Sequence, residues 1–384
     1  MKIDKYIVFI LLSLIIIYLS QNVFYTGGGS LIAQLSLFLI LLVSGFYFIK
    51  TMLIRKKPLF INVWTILLLI NLIGYIFTAD FSFRPHFDHF KTILIVSLVF
   101  YPFFYLSLKG VLKSNHLICF FLIMLPITIA QFYFQTVEVM VKRQNVNVEF
   151  VNNFAYQFVF LIPYLFLLKK RKIASFFLAL IMLFFIIQGA KRGAMIIGTV
   201  GILFFIYFHL RTIERRNRYK GFIFVIVGIA GLVYFAYTFY QQNEFLISRL
   251  SSISDGDSSS RNIIYSNLYN TWFKSESLIN FLFGYGFGSS IFLSGTGNWA
   301  HNDWLELLIN FGILGVIVYA AIFFSIIRFA FSKYCNADKK IILLSIIAIW
   351  FLTTLISMNY NNINSIFQSI IMAYLIGNKS MNIE

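Results

Sequence analysis

The chain has 384 residues, of which 60% are hydrophobic and 12% charged, and its formal net charge is +17. Soluble domains are about half apolar and about a quarter charged, so this composition excludes an ordinary soluble domain. It also excludes a disordered chain, a collagen and a coiled coil. Because a membrane-spanning helix needs about 20 apolar residues, the chain has room for about a dozen spans. We therefore predict a polytopic membrane protein.

Twelve apolar runs are long enough to cross a bilayer. They are residues 6–24, 31–49, 59–78, 92–108, 116–134, 151–168, 173–187, 194–210, 222–240, 304–327, 341–358 and 363–376. In hydrocarbon every backbone polar group must be paired within the protein, so these runs predict helices. The predicted fold is one all-α integral membrane domain over residues 1–384, with about 12 transmembrane helices. The seventh and twelfth helices have the least defined ends. Residues 241–303 are predicted to form a long external loop with short helices, between the ninth and tenth spans.

The distribution of lysine and arginine predicts how these helices are oriented. With the N-terminus in the cytoplasm, 22 of the 31 basic residues fall on the cytoplasmic side and nine on the outer side. Cytoplasmic loops of membrane proteins carry such an excess of positive charge, so we predict that both termini are cytoplasmic. The net charge then reflects orientation and attraction to anionic lipid. It does not indicate a nucleic-acid partner.

The sequence offers little that would hold a metal ion. Cys119 and Cys335 lie far apart and have neither disulfide nor metal-ligand spacing. Asp255 and Asp257 form a pair in the long loop, but no further ligand is spaced to complete a site. We therefore predict no metal and no cofactor.

Basic residues on the predicted outer side are unusual and draw attention to two places. Lys191 and Arg192 lie between the seventh and eighth helices, flanked by Gly189 and Gly193. The glycines allow a tight turn or a close approach to a ligand. A solvated helix end that meets lipid phosphate is the alternative interpretation.

Arg261 lies in the long loop, before apolar residues at helical spacing. Ile264, Leu268 and Trp272 predict a short amphipathic helix with Arg261 at its N-terminal end. A guanidinium and the N–H groups of a helix N-terminus both favour an anion. An ordinary exposed arginine is the alternative.

His301 precedes the tenth span, which Asn302 or Asp303 could cap. An imidazole with an unperturbed pKa near 6.5 suits a general base, so His301 is a candidate for proton transfer. By itself, a lone surface histidine is more often structural.

The residues around His301 resemble a known signature. His301 and Asn302, followed after nine residues by Gly312 and after two more by Gly315, resemble the H-N-x9-G-x-x-G pattern of the O-antigen ligase and O-antigen polymerase superfamily. The resemblance extends over about residues 187–319. Other positions that match are Lys191 to Ala194, Ser260, Arg261, Trp272, the G-x-G-x-G of residues 284–288 and Ala300.

This resemblance implies a membrane glycosyltransferase of the GT-C type, which uses an undecaprenyl-diphosphate-linked oligosaccharide at the periplasmic face of the bacterial inner membrane. By motif position, Arg192 and Arg261 would bind the donor diphosphate, and His301 would act on the acceptor hydroxyl. Family members are thought to need no metal. The residues that we expect to support substrate binding are Lys191, Arg249, Trp299, Asn302 and Asp303.

The acceptor separates the alternatives that the resemblance leaves open. Threonines often follow the last glycine in ligases, whereas this chain has Val316 and Ile317, which favours a polymerase. The polymerase would extend another lipid-linked repeat unit, and the ligase would transfer the glycan to the lipid A core. A lipid-linked oligosaccharide transporter and a structural assembly partner are further alternatives. Membrane lipid and a chain-length regulator are candidate partners. The sequence identifies neither the sugars and their linkage nor the oligomeric state.

Overall fold

The computed structural model describes residues 2–24, 30–142, 151–212 and 261–378, together with residues 226, 234 and 238. The predicted ninth span, 222–240, lies almost entirely outside the described residues. The same holds for the part of the predicted 241–303 loop that precedes Arg261, which includes Arg249, Asp255 and Asp257.

The described residues form helices, and the connections that are fully described are short. The first eight are α1 (Lys2–Phe24), α2 (Leu31–Met52), α3 (Leu59–Thr78), α4 (Arg84–Leu108), α5 (Ser114–Lys142), α6 (Ala155–Leu165), α7 (Lys172–Gln188) and α8 (Arg192–Thr212). A 3₁₀ turn, Phe166–Leu168, extends α6. The helices that follow are α9 (Arg261–Phe273), α10 (Leu278–Phe283), α11 (Ser290–Leu293), α12 (Asp303–Ala330), α13 (Ala337–Ile356) and α14 (Ser365–Gly377).

Eight of these helices are long and apolar enough to cross a membrane: α1 to α5, α8, α12 and α13. Helices α6, α7 and α14 are apolar but shorter. Eleven of the twelve predicted apolar runs therefore coincide with helices. The 13 residues of α14 cover only about 20 Å, less than the roughly 30 Å of a hydrocarbon core. Because α14 is buried along its whole length, protein rather than lipid surrounds it.

The centre of the bundle consists of helices that are buried on all sides. Helix α14 packs along α4, and α6 packs between α5, α7 and α8. Side-chain hydroxyls join these helices to backbone carbonyls: Ser107 donates to Tyr374 O at 2.8 Å, and Tyr164 donates to Phe367 O at 2.8 Å. In an apolar interior such bonds are the available way to satisfy a hydroxyl.

Contacts between connections divide the bundle into two ends. At one end, the hydroxyl of Thr78 accepts from the N–H of Phe287 at 2.7 Å, and the N–H of Asn152 donates to Gly189 O at 3.0 Å. Gly189 and Phe287 belong to connections that the sequence predicts to be external, and Thr78 and Asn152 lie at the external ends of predicted spans. At the opposite end, Lys169 pairs with Asp338 at 2.6 Å between two connections predicted to be cytoplasmic. The fold therefore brings the predicted external connections together.

The glycines of the signature have structural roles in α12. Gly312 has φ +62°, and the helix kinks there. A Cβ at Gly312 would collide with the backbone of Leu282, so α10 can pack this closely only on a glycine. Just before the kink, the carbonyls of Ile309 and Asn310 accept hydrogen bonds from N–H groups of the G-Y-G-F-G turn, at 2.8 and 3.1 Å. The predicted turn is therefore hydrogen-bonded to α12 just before its kink.

Candidate active site

His301 lies in the short loop before α12, and hydrogen bonds on both sides fix its backbone. Its φ is +51°, in the left-handed region that few non-glycine residues adopt. The N–H of Ala300 donates to Glu306 Oε2 at 3.0 Å. The Asn302 side chain accepts from two N–H groups in the first turn of α12. Of the two residues expected to cap this helix, Asn302 is the one that does so.

The carboxylate of Glu306 lies directly behind the His301 loop and is fully buried. Besides the N–H of Ala300, it accepts hydrogen bonds from the hydroxyl of Ser290 at 2.6 Å and the amide of Asn310 at 2.9 Å. A buried carboxylate is tolerated only with such a set of donors. Glu306 thus joins α11, α12 and the His301 loop.

Asp303, the first residue of α12, is also fully buried. It accepts hydrogen bonds from the N–H groups of Asn359, at 2.9 Å, and Tyr360, at 3.3 Å. The hydroxyl of Tyr319 donates to it at 2.6 Å and in turn accepts from Trp350 Nε1 at 3.0 Å. This network fastens the start of α12 to the segment between α13 and α14.

Arg261 is the first residue described in α9, and it reaches the end of α13. Its Nη1 donates to the carbonyl of Ile356 at 2.6 Å. Carbonyls at a helix C-terminus carry partial negative charge and favour a cation. One turn further along α9, the hydroxyl of Tyr265 donates to the carbonyl of His301 at 3.4 Å. Helix α9 therefore connects Arg261 with the histidine loop.

Helix α9 buries the residues whose spacing predicts it, although Ile263, Tyr269 and Phe273 leave further apolar side chains exposed. Ile264 and Leu268 are buried in a small apolar cluster with Ala300 and Ile309, and Trp272 packs against this cluster. The cluster holds α9 against the first turns of α12. Because Arg261 begins α9 and His301 precedes α12, the cluster also fixes the position of Arg261 relative to His301.

The turn that carries Lys191 and Arg192 meets the same end of α13. Arg192 is the first residue of α8, and the next residue, Gly193, packs against the hydroxyl of Tyr156. A Cβ at Gly193 would also come within 2.7 Å of Ile356 Cγ2. Because the carbonyl of Ile356 holds the arginine of α9, both basic segments converge on one residue of α13.

The electrostatics of His301 reflect this convergence. His301 is exposed to solvent in part. Partial burial, followed by the positive charges of Arg261 and Lys191, lowers the pKa of His301 below its ordinary value of 6.5. Among the described residues, the two non-glycine residues with positive φ are His301 and Ala190, which precedes Lys191. Such strained backbone is frequent at functional sites.

Three residues expected to support binding lie elsewhere or are not described. Trp299 stacks on His89 of α4, with ring centroids 4.2 Å apart. Asp303 is enclosed in the network described above and lies away from the solvent-exposed surface of His301. Arg249 lies outside the described residues. In the part of the chain that the structure describes, no three His, Cys, Asp or Glu residues lie together as metal ligands would.

Sequence reasoning missed several residues of this cluster. Tyr265 follows Arg261 by four residues, so helical spacing could have found it. Glu306 belongs to no motif in the sequence, and its partners become apparent only in the fold. Tyr156 and the carbonyl of Ile356 carry no signal in the sequence, because a distant glycine and a distant arginine give them their roles.

The fold and the cluster define a multi-pass helical membrane protein with a basic, histidine-containing site at one end of the bundle. Residues 177–320 match the family model described as O-antigen ligase. This stretch contains Arg192, Arg261, His301 and both signature glycines. The resemblance to the O-antigen ligase and polymerase superfamily is thus confirmed over these residues, and it indicates a function of the ligase or polymerase type. No curated protein matches the chain.

Proposed function

We propose that this chain is a polysaccharide polymerase of the bacterial inner membrane, with its active site facing the periplasm. It transfers a glycan from undecaprenyl diphosphate to a sugar hydroxyl of another lipid-linked repeat unit. One observation carries the proposal: the basic segments that begin α8 and α9 both meet Ile356 at the end of α13. Tyr265 of α9 bonds the backbone of His301, so the histidine lies beside these cations although 110 residues of sequence separate it from Lys191. A cation cluster beside a potential base suits a reaction with an anionic leaving group.

The basic segments bind the donor diphosphate. A guanidinium has five N–H donors, and the bond to Ile356 O uses one of those of Arg261. Arginine can donate two parallel hydrogen bonds to phosphate oxygens, and these charge-assisted bonds are strong. Arg192 contributes from the start of α8, where the helix dipole also favours an anion. Lys191 adds charge without that fork geometry.

His301 acts on the acceptor. Because its pKa lies below 6.5, its imidazole is neutral at pH 7 and can accept a proton. The acceptor oxygen forms a bond to the anomeric carbon as the bond from that carbon to the phosphate oxygen breaks. The bonding electrons stay with undecaprenyl diphosphate, and the hydroxyl proton moves to His301. No metal takes part in this step.

The identity of the acceptor rests on a smaller observation. Val316 and Ile317 stand where ligases often have threonines, which favours a repeat unit over the lipid A core as acceptor. A transporter would use the same cations to bind the diphosphate but would have no need of a base. The role of His301 therefore separates an enzyme from a transporter.

The test is the surface polysaccharide profile of cells that lack the gene and carry either the wild type or His301→Ala. We expect the deletion and His301→Ala to give core with a single repeat, while the wild type restores the ladder. Removal of a general base costs about 10²- to 10⁴-fold in rate. His116→Ala is the matched control, because His116 lies at the start of α5, at the opposite end of the bundle.

Two other outcomes would contradict the proposal. Loss of all repeats from the core, with long chains kept on the lipid carrier, would indicate a ligase. A full ladder with His301→Ala would mean that this residue is not the base. Membrane amounts of each variant, measured by immunoblot, exclude a defect in folding.

A further inference from the structure

A large cavity lies in the N-terminal half, outside the matched residues 177–320. Its volume is about 1170 Å³, and it is lined by α1, α2, α4, α5, α6, the connection before α4 and the segment before α14. Pockets for drug-sized ligands measure about 300–1,000 Å³, so this cavity accommodates a larger molecule. None of the residues proposed above for the reaction lines it.

The polar lining of the cavity consists mainly of uncharged amides. They are Gln21, Gln34, Gln131, Gln135, Asn153, Gln157 and Asn364. An amide side chain both donates and accepts hydrogen bonds, as a hydroxyl group does, whereas a carboxylate only accepts and an ammonium only donates. Amides therefore match a ligand that carries many hydroxyl groups.

One of these amides, that of Gln157, is buried and has an oxygen that accepts no hydrogen bond within the protein. Gln157 is 1% exposed, and its Nε2 donates to Gln131 Oε1 at 3.2 Å. The Nε2 of Gln131 is itself used by the carbonyl of Leu19. Among the amides that line the cavity, Gln157 and Gln135 each have a buried Oε1 with no hydrogen-bond partner in the described protein. Because an unmatched buried acceptor is costly, these oxygens indicate a ligand that donates hydrogen bonds.

The charged groups of the cavity argue against a diphosphate ligand. Asp88 pairs with Lys91 at 2.6 Å and with Arg84 at 3.6 Å. Two cations on one carboxylate leave a small net charge, unlike the basic cluster near His301. The remaining lining includes the aromatic rings of Tyr18, Phe38, Phe81, Phe87 and Phe154. Flat apolar rings suit the C–H faces of sugar rings.

The cavity shares a wall with the candidate active site. Asn153 and Phe154 line it from just before α6, and Gln157 lines it from the first turn of that helix. The residue between them, Tyr156, packs instead against Gly193 of the basic turn. One helical turn therefore separates the cavity from the diphosphate-binding region.

From these observations we infer that the cavity binds the oligosaccharide of the acceptor, as a hydroxyl-rich and nearly neutral glycan. The inference rests on the proposed function, which requires an acceptor glycan beside the donor diphosphate. Hydrogen bonds from sugar hydroxyls to Gln157 and Gln135 hold the acceptor, and the cation cluster holds the donor. Acceptor recognition thus lies in the half of the chain outside the matched residues.

The test measures binding directly on the purified full chain in detergent. The probe is the fluorescently labelled repeat-unit oligosaccharide, released from the polysaccharide of the same cells by mild acid. We expect the wild type to bind it and Gln157→Leu to bind at least about tenfold more weakly. Binding of undecaprenyl diphosphate, measured in parallel, stays unchanged in Gln157→Leu and weakens in Arg261→Ala.

Asn71→Leu is the matched control, because Asn71 is an equally buried amide on α3 that does not line the cavity. Gln135→Leu, at a less buried position, is the second variant if Gln157→Leu does not fold. Wild-type affinity for the oligosaccharide in both variants, or no binding by the wild type, would overturn the inference. The ladder assay with His301→Ala is independent of this result, so a failure of the proposed function would be recognised separately.

Discussion

The cation cluster around His301 and the cavity in the N-terminal half use opposite chemistry at the same end of the bundle. The cluster combines full charges with strained backbone. The buried carboxylates of Glu306 and Asp303 fix the backbone on either side of His301 through hydrogen bonds. The cavity offers neutral amides and aromatic rings, and its few charges pair with one another. Leaving-group chemistry needs fixed charge, whereas recognition of a neutral glycan needs matched hydrogen bonds. A transferase with two substrates can separate these tasks spatially.

The largest effect expected in the cluster, apart from His301→Ala, comes from Arg261. Arg261→Ala should lower the rate of glycan transfer by about a hundredfold, because it removes charge stabilisation at the leaving group. Arg261→Lys should recover only part of this loss, since an ammonium lacks the fork of donors. Turnover in purified proteoliposomes measures both. The control is Arg328→Lys on the exposed far end of α12, and an equal loss there would refute a specific role for Arg261.

Asp303, which holds the start of α12 to the segment between α13 and α14, should affect stability more than chemistry. Asp303→Asn replaces one of two accepting oxygens by an NH₂ donor that faces N–H and O–H groups, so we expect a loss of about 3 kcal/mol in stability. Thermal unfolding in detergent provides the measurement.

Asp338→Asn is the comparison for this variant, because it breaks a partly exposed ion pair with Lys169, worth under about 1 kcal/mol. Equal midpoints for the two variants would contradict the anchoring role of Asp303. If Asp303→Asn binds undecaprenyl diphosphate normally when folded, Asp303 is a positioning residue.

The smallest effect concerns the pH profile. A base must be deprotonated, so activity falls as pH drops through the pKa of His301, and the acid limb should lie below pH 6.5. The charge of Lys191 contributes to the lowered pKa, after burial and Arg261. Lys191→Gln should therefore raise this pKa and move the acid limb to higher pH. Measurement of kcat/KM against pH detects the shift, with Lys274→Gln as control. An acid limb that does not move in Lys191→Gln would show that the charge of Lys191 does not act on His301.

Local patterns in the sequence anticipated the helices. Residues 59–78 were predicted as a span, and α3 is Leu59–Thr78. The spacing of Ile264 and Leu268 predicted α9 and its buried face. Such predictions succeed because apolar runs and helical periodicity follow from hydration of the chain itself, without reference to distant residues. The compartments on either side of the bundle remain a prediction from the charge distribution.

The sequence by itself determined the membrane class, twelve of the described helices including α9, and the residue types suited to phosphate and proton chemistry. Only the tertiary structure decided that Asp303 is an anchor rather than a surface residue. It also decided that Arg261 meets the end of α13, and that Gln131 and Gln157 share a cavity wall. The physical reason is that these features depend on hydrogen bonds and burial between segments far apart in the chain. Asp303 and Asn359 are 56 residues apart, and nothing in either neighbourhood specifies the partner.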